Sequence, residues 1–226
     1  MMALQSKLPK LPAPSGFDQS PDASFGDLRF RALLSDADWA LLPPATRQRF
    51  SKRLAGGETT VYVGVVEAAS FSRLGWGLAQ MARLIGGPLP TGADTQVPMI
   101  VTVTEDAATG GQIWTRICAW RNGFPQVIHS SKRFAGPTGL EEYVGFGVSM
   151  ALRIFVEGEA LLFRSAGYAV QLGRLRLALP TFLTPGALTV AHTDLGGGEF
   201  RFTLEIVHPR VGELIRQSAV FREATP

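Results

Sequence analysis

Over most of the chain, apolar residues fall in short β-branched runs and imperfect alternations of period two, the pattern of strands in a curved sheet rather than of a flat sheet with a polar outer face. From Val97 to Glu105, Val97, Met99, Val101 and Val103 interleave with Thr102 and Thr104. Thr59 to Val66 is rich in β-branched residues and reads as the first strand. Further strands are predicted over Gln112 to Trp120, Gln126 to Phe134, Val148 to Val156, Ala160 to Ser165, Tyr168 to Leu179, Ala187 to Ala191, Glu199 to His208 and Ile215 to Arg222. Gly- or Pro-containing turns separate most of them, and Asn122-Gly123 is a hairpin signal.

Two stretches change period. Between Phe25 and Phe50, helical spacing of Leu28, Ala32 and Leu33 gives way to Pro43-Pro44, a start signal for a second short helix. Phe71, Leu74, Leu78, Met81 and Ile85 then recur at helical steps before Gly86-Gly87-Pro88 stops them. The prediction is an α+β fold, mainly β. About nine or ten strands form a strongly curved antiparallel sheet or a closed or half barrel, with N-terminal helices and one long inserted helix. A closed barrel or a half barrel wrapped on the helix would remove or cover the exposed edges.

Composition narrows the picture. Of 226 residues, 46% are hydrophobic and only 18% charged, which excludes an intrinsically disordered chain. Residues 1–24 hold four Pro and no periodicity, so they read as a disordered leader or linker ahead of a single barrel-like domain, 25–226. The net charge of +3 is small, and Arg174-Leu175-Arg176-Leu177 shows basic residues alternating with apolar ones. That is not a nucleic-acid stripe. The single cysteine, Cys118, excludes a disulfide framework within the chain and a multi-Cys zinc site. The three His are too scattered for metal-ligand spacing. Gly145-Phe146-Gly147 neither follows a parallel strand nor opens a helix, so no dinucleotide or other cofactor is expected. The longest tempting uncharged stretch, Leu177 to Thr193, contains two Pro and falls short of the roughly 20 residues of a membrane helix. No transmembrane segment and no signal peptide are expected, which makes a cytoplasmic location the default.

The candidate site lies on the Gln112 to Trp120 strand. Ile113, Thr115, Ile117 and Ala119 form one face; Trp114, Arg116, Cys118 and Trp120 form the other. Both are largely apolar, so both are expected to be covered. An Arg between two Trp must find a carboxylate, a carbonyl, water or a ligand anion. Arg116 therefore snorkels to the surface, pairs internally with Glu141 or Glu142, or anchors an anion at the base of an apolar pocket walled by Trp114 and Trp120. Cys118 reads as an inert part of that wall rather than a nucleophile.

Three functions follow. The first is binding of a hydrophobic or amphipathic small molecule, such as a lipid, terpenoid or polyketide acid, in the barrel cavity. The second is an isomerase or cyclase acting on such a substrate. Glu142, its pKa raised by apolar surroundings, would be acid or base, and Arg116 or Tyr143 would stabilise charge. The third is an interaction module, with the Phe25 to Phe50 helices as contact surface. Trp39 and Leu41-Leu42 either anchor the partner or, the favoured reading, pack across the barrel mouth. Whether the protein is an enzyme stays open at this level.

From Phe30 onward the chain also resembles the bacterial family catalogued as domain of unknown function 4166. The resemblance rests on Phe30-Arg31-Ala32-Leu33-Leu34, Leu42-Pro43-Pro44, Val97-Pro98 and Trp114-x-Arg116. It continues through Leu179-Pro180, the Pro185 segment, Phe200-Arg201-Phe202 and His208-Pro209 with Gly212. Members of that family often occur fused to or beside saccharopine-dehydrogenase-like proteins. The resemblance therefore implies such an oxidoreductase, an NAD(P)-dependent dehydrogenase, as the partner of that interaction module, and it implies no specific activity.

Overall fold

The computed structural model describes residues 26–224. Eleven strands form one sheet: β1 (Thr59–Phe71), β2 (Pro98–Asp106), β3 (Gly111–Cys118), β4 (Gln126–Arg133), β5 (Glu141–Gly145), β6 (Val148–Glu157), β7 (Ala160–Leu172), β8 (Leu175–Ala178), β9 (Ala187–Gly196), β10 (Glu199–His208) and β11 (Gly212–Glu223). Neighbours pair antiparallel from β1 to β6, and β6 pairs with β7. The ring returns through β9, β10 and β11 to β1, so ten strands close a barrel. The eleventh strand, β8, pairs with Ala169–Leu172 of β7, beyond the Leu161–Arg164 stretch that β9 takes.

Strand boundaries move where turns, not alternation, decide them. The expected Tyr168 to Leu179 strand is a hairpin bent at Gly173, whose φ of 60° suits a residue without Cβ. The Asn122-Gly123 signal sits inside a longer β3–β4 connection instead of a two-residue turn. Strand β5 begins with two glutamates, so its polar start hides it from any hydrophobic pattern. The expected leader, 1–24, lies outside the described residues.

The inserted helix is shorter than its periodicity predicts. Strand β1 takes Phe71, and Ser72 then caps α1 (Arg73–Ala82), its hydroxyl accepting the Gly75 N–H at 3.0 Å. A 3-10 turn over Arg83–Ile85 follows and ends at left-handed Gly86. A Cβ on Gly75 would land on the Leu214 carbonyl, so glycine there lets the helix lie directly on β11.

Upstream, α2 (Asp36–Leu41) and α3 (Pro44–Phe50) plug one end of the barrel. Phe30, Leu42 and Phe50 are buried with Leu140, Leu152, Leu161 and Phe163. The Phe30 ring meets Phe50 and Phe134 edge-on, with centroids 5.5 and 4.9 Å apart. Each such side chain withdrawn from water contributes about 1.5–3 kcal/mol. The choice between docking anchors and packing across the barrel mouth therefore falls differently for each residue. Leu42 belongs to the core, Trp39 packs against it, and Leu41 remains exposed. The helix α1 crosses the other end of the barrel.

The expectation that both faces of β3 are covered needs correction. Trp114 and Arg116 face the enclosed interior, whereas Ile113 and Ile117 lie half-buried on the outer wall. A closed barrel encloses only one face of each strand. No helix among the described residues is long and apolar enough to cross a membrane.

Candidate functional site: a two-chambered barrel interior

Strand alternation sends Gln112, Trp114 and Arg116 of β3 inward, opposite Lys132, Ser130 and Ile128 of β4. The antiparallel register carries a polar belt around the wall: Gln112 faces Lys132, Lys132 faces Glu142, Glu142 faces Met150, and Met150 faces Tyr168. These pairings set two charged side chains, Lys132 and Glu142, side by side on neighbouring strands and facing the interior.

Two chambers adjoin there. The inner one, about 70 Å³, lies over Phe50 and is walled by Trp114, Lys132, Phe163 and Phe202. The outer one, about 300 Å³, lies under α1 and is walled by Leu78, Met81, Met150, Tyr168, Leu183 and Ile206. Arg116, Glu142, Val190 and Leu204 line both, so the guanidinium and the carboxylate stand at the constriction.

The Lys132 ammonium lies 3.4 Å from Glu142 and 4.7 Å from the centre of the Trp114 ring. Burial alone would raise the Glu142 carboxyl, but the charges of Lys132 and Arg116 outweigh it and hold it below the usual range. Burial pulls Lys132 down, with Glu142 opposing. Arg116 forms no ion pair among the described residues: one terminal nitrogen donates weakly to Ser130 Oγ at 3.5 Å, and its buried Nε has no partner. Two cations facing one carboxylate leave the constriction with a surplus of positive charge.

The structure therefore brings together Trp114, Arg116 and Glu142. It does not bring in the others. Tyr143 points to the outer face, where the Arg133 guanidinium lies 4.0 Å from its ring centre. Glu141 also faces outward and pairs with Arg176 at 2.6 Å. Trp120 follows the end of β3 and packs against Gly92. Cys118 lies buried in a small crevice beside Trp120, away from both chambers, and burial pushes its thiol up. The direction expected for Glu142 is reversed as well: the neighbouring cations keep it ionised, so it can accept a proton but is a poor donor.

Lys132, Phe163, Tyr168 and Gln217 are the lining residues that sequence reasoning missed. The signal was present for Lys132, because Gln126, Ile128, Ser130 and Lys132 share the face opposite Arg116. His192 is fully buried below the inner chamber, stacked on Phe200 at 4.8 Å. Arg49 donates to its Nε2 at 3.0 Å, which fixes the ring as neutral. Among the described residues, no three His, Cys, Asp or Glu side chains converge as a metal site would require.

Residues 42–221 match the family described as a domain of unknown function (DUF4166). The chain belongs to this family. No curated protein and no solved structure matches it. The DUF4166 match runs from Leu42 to Phe221 and spans every residue that lines either chamber. The barrel and its charged constriction thus both lie within the part of the chain that defines the family.

Proposed function

We propose that this DUF4166 barrel binds an amphipathic small molecule, with an apolar body in the outer chamber and a carboxylate at Arg116. The observation that carries the reading is the state of Arg116. Glu142 is engaged by Lys132, so the guanidinium faces the constriction with Ser130 as its hydrogen-bond acceptor. A ligand carboxylate would satisfy its donors in a bidentate geometry and offset the surplus charge. Apolar walls around a few convergent polar groups are what small-molecule sites look like, and about 300 Å³ falls at the lower end of their sizes. The class of ligand is a fatty, terpenoid or polyketide acid. Native mass spectrometry after gentle purification tests this, followed by an uptake screen of such acids. Uptake of one acid per chain supports the reading, and a barrel that takes up no lipophile rejects it.

One observation favours a second reading, an isomerase or cyclase of the same substrates. Glu142 faces the outer chamber beside Arg116, so a base and an anion-stabilising cation share one space. Such an enzyme would start with Glu142 as the base, and the carboxylic acid so formed would return the proton to the rearranged substrate. Glu142→Gln would abolish turnover while binding persists, and unchanged turnover would remove Glu142 from the chemistry. Docking to an oxidoreductase has less support, because Leu42 and Phe50 of the N-terminal segment are turned inward.

A further inference from the structure

The helix α1 buries Gly75, Ala79 and Ala82 against the barrel, yet Leu74 on α1 and Leu84 in the 3-10 turn after it stay exposed, as does Met81 at the rim of the outer chamber. Leu84 is 72% exposed, Phe146 74% and Phe182 79%. These are large side chains, and each has a sequence neighbour that lines the outer chamber: Ile85, Val144 or Val148, and Leu183. Phe146 sits against Gly86 at the end of the α1 segment. The Gln171 N–H donates to the Gly147 carbonyl at 2.8 Å and ties that loop to the β7–β8 hairpin. Leu183, next to Phe182, lines the outer chamber together with Met81. The exposed collar therefore surrounds the mouth of the outer chamber.

Charge selects what covers it. The three segments that build the collar, 72–90, 144–148 and 168–186, contain Arg73, Arg83, Arg174 and Arg176 and no Asp or Glu. Of these, Arg176 is engaged by Glu141. Aromatic and aliphatic side chains at full exposure with only basic residues among them match an interface with anionic lipid: the apolar groups enter the acyl boundary while the guanidinium groups meet phosphates. A protein partner would need acidic groups for the same arginines, and a second copy would bring arginine against arginine.

We propose that this end of the barrel docks onto the surface of an anionic bilayer, with the mouth of the outer chamber facing the lipid. The docking stands on the collar and does not depend on which ligand the chamber takes.

The test is co-sedimentation of the full chain with vesicles of phosphatidylcholine alone and of phosphatidylcholine mixed with phosphatidylglycerol. The expected result is binding to the mixed vesicles only, weakening with salt. Phe146→Ser/Phe182→Ser and Arg83→Glu/Arg174→Glu should each lower that affinity about tenfold or more. Both pairs are exposed, so their thermal midpoints should match that of the unaltered protein. Arg116→Met should bind vesicles normally, which separates this proposal from the ligand reading. Absence of binding to either vesicle overturns the proposal. So does binding that both double variants leave unchanged, or a dimer without vesicles that Phe146→Ser/Phe182→Ser dissociates.

Discussion

Lys132 and Glu142 stand opposite each other across the β4–β5 pairing, their charged groups 3.4 Å apart and turned into the barrel. A pair so buried is held by its surroundings as much as by itself. Arg116 is close enough to help hold the Glu142 carboxyl ionised, so the three charges form one unit.

That unit predicts unequal single substitutions. Glu142→Gln leaves the buried Lys132 and the half-buried Arg116 without a counter-charge and should cost about 3–5 kcal/mol, as removing one partner of a buried pair does. Lys132→Met should cost less, because Arg116 can take over the carboxylate. The double variant should recover part of the loss, since Arg116 alone is then left without a counter-charge. Urea unfolding of the four proteins checks the order; equal losses, or strict additivity, would dissolve the unit into independent residues.

His192 sets an acid limit on the fold. Burial, then the Arg49 charge, lowers its pKa from 6.5 to about 3. The unfolded chain therefore binds a proton that the folded chain refuses. Its contribution to stability is whole above pH 6.5 and is lost as the pH falls toward 3, at about 1.4 kcal/mol per pH unit. Asp27, Asp106 and Glu142 also have lowered pKa values and add losses nearer pH 4. His192→Gln keeps an acceptor for Arg49 without titrating, so its stability between pH 6.5 and 5 should be flatter than that of the unaltered chain. Parallel curves in that window would contradict the assignment.

Gly75 governs the seat of α1. Gly75→Ala should push the helix off the Leu214 carbonyl, lower stability by about 1–3 kcal/mol and open the outer chamber. Hydrogen exchange would then quicken in α1 and β11 while β3–β5 stay protected. An unchanged helix would show that β11 yields instead.

The barrel was legible because alternation, Gly-rich turns and the scarcity of long helical patterns all point the same way. Trp114 and Arg116 were legible for the same reason, as both occupy inward positions of one clean strand. What escaped depended on parity and on where strands end. Glu142 and Tyr143 are adjacent, so a strand cannot send both into one cavity. Trp120 lies beyond the last rung of β3, where alternation no longer decides direction. Lys132 was hidden because a lone lysine on a polar strand reads as solvated, and only its register opposite Gln112 puts it inside the barrel. The exposed apolar side chains of α1 were invisible for a different reason: periodicity shows that a helix is apolar on a face, but not that Gly75, Ala79 and Ala82 suffice to bury it.

The most direct measurement is the affinity of a fluorescent long-chain carboxylic acid and of its methyl ester for the unaltered chain and for Arg116→Met. The acid should bind about tenfold or more tightly than the ester in the unaltered chain, as expected for a charge-assisted contact. In Arg116→Met that preference should vanish while the ester binds as before. An acid and ester of equal affinity, or a preference for the acid that survives in Arg116→Met, would contradict the role given to this arginine.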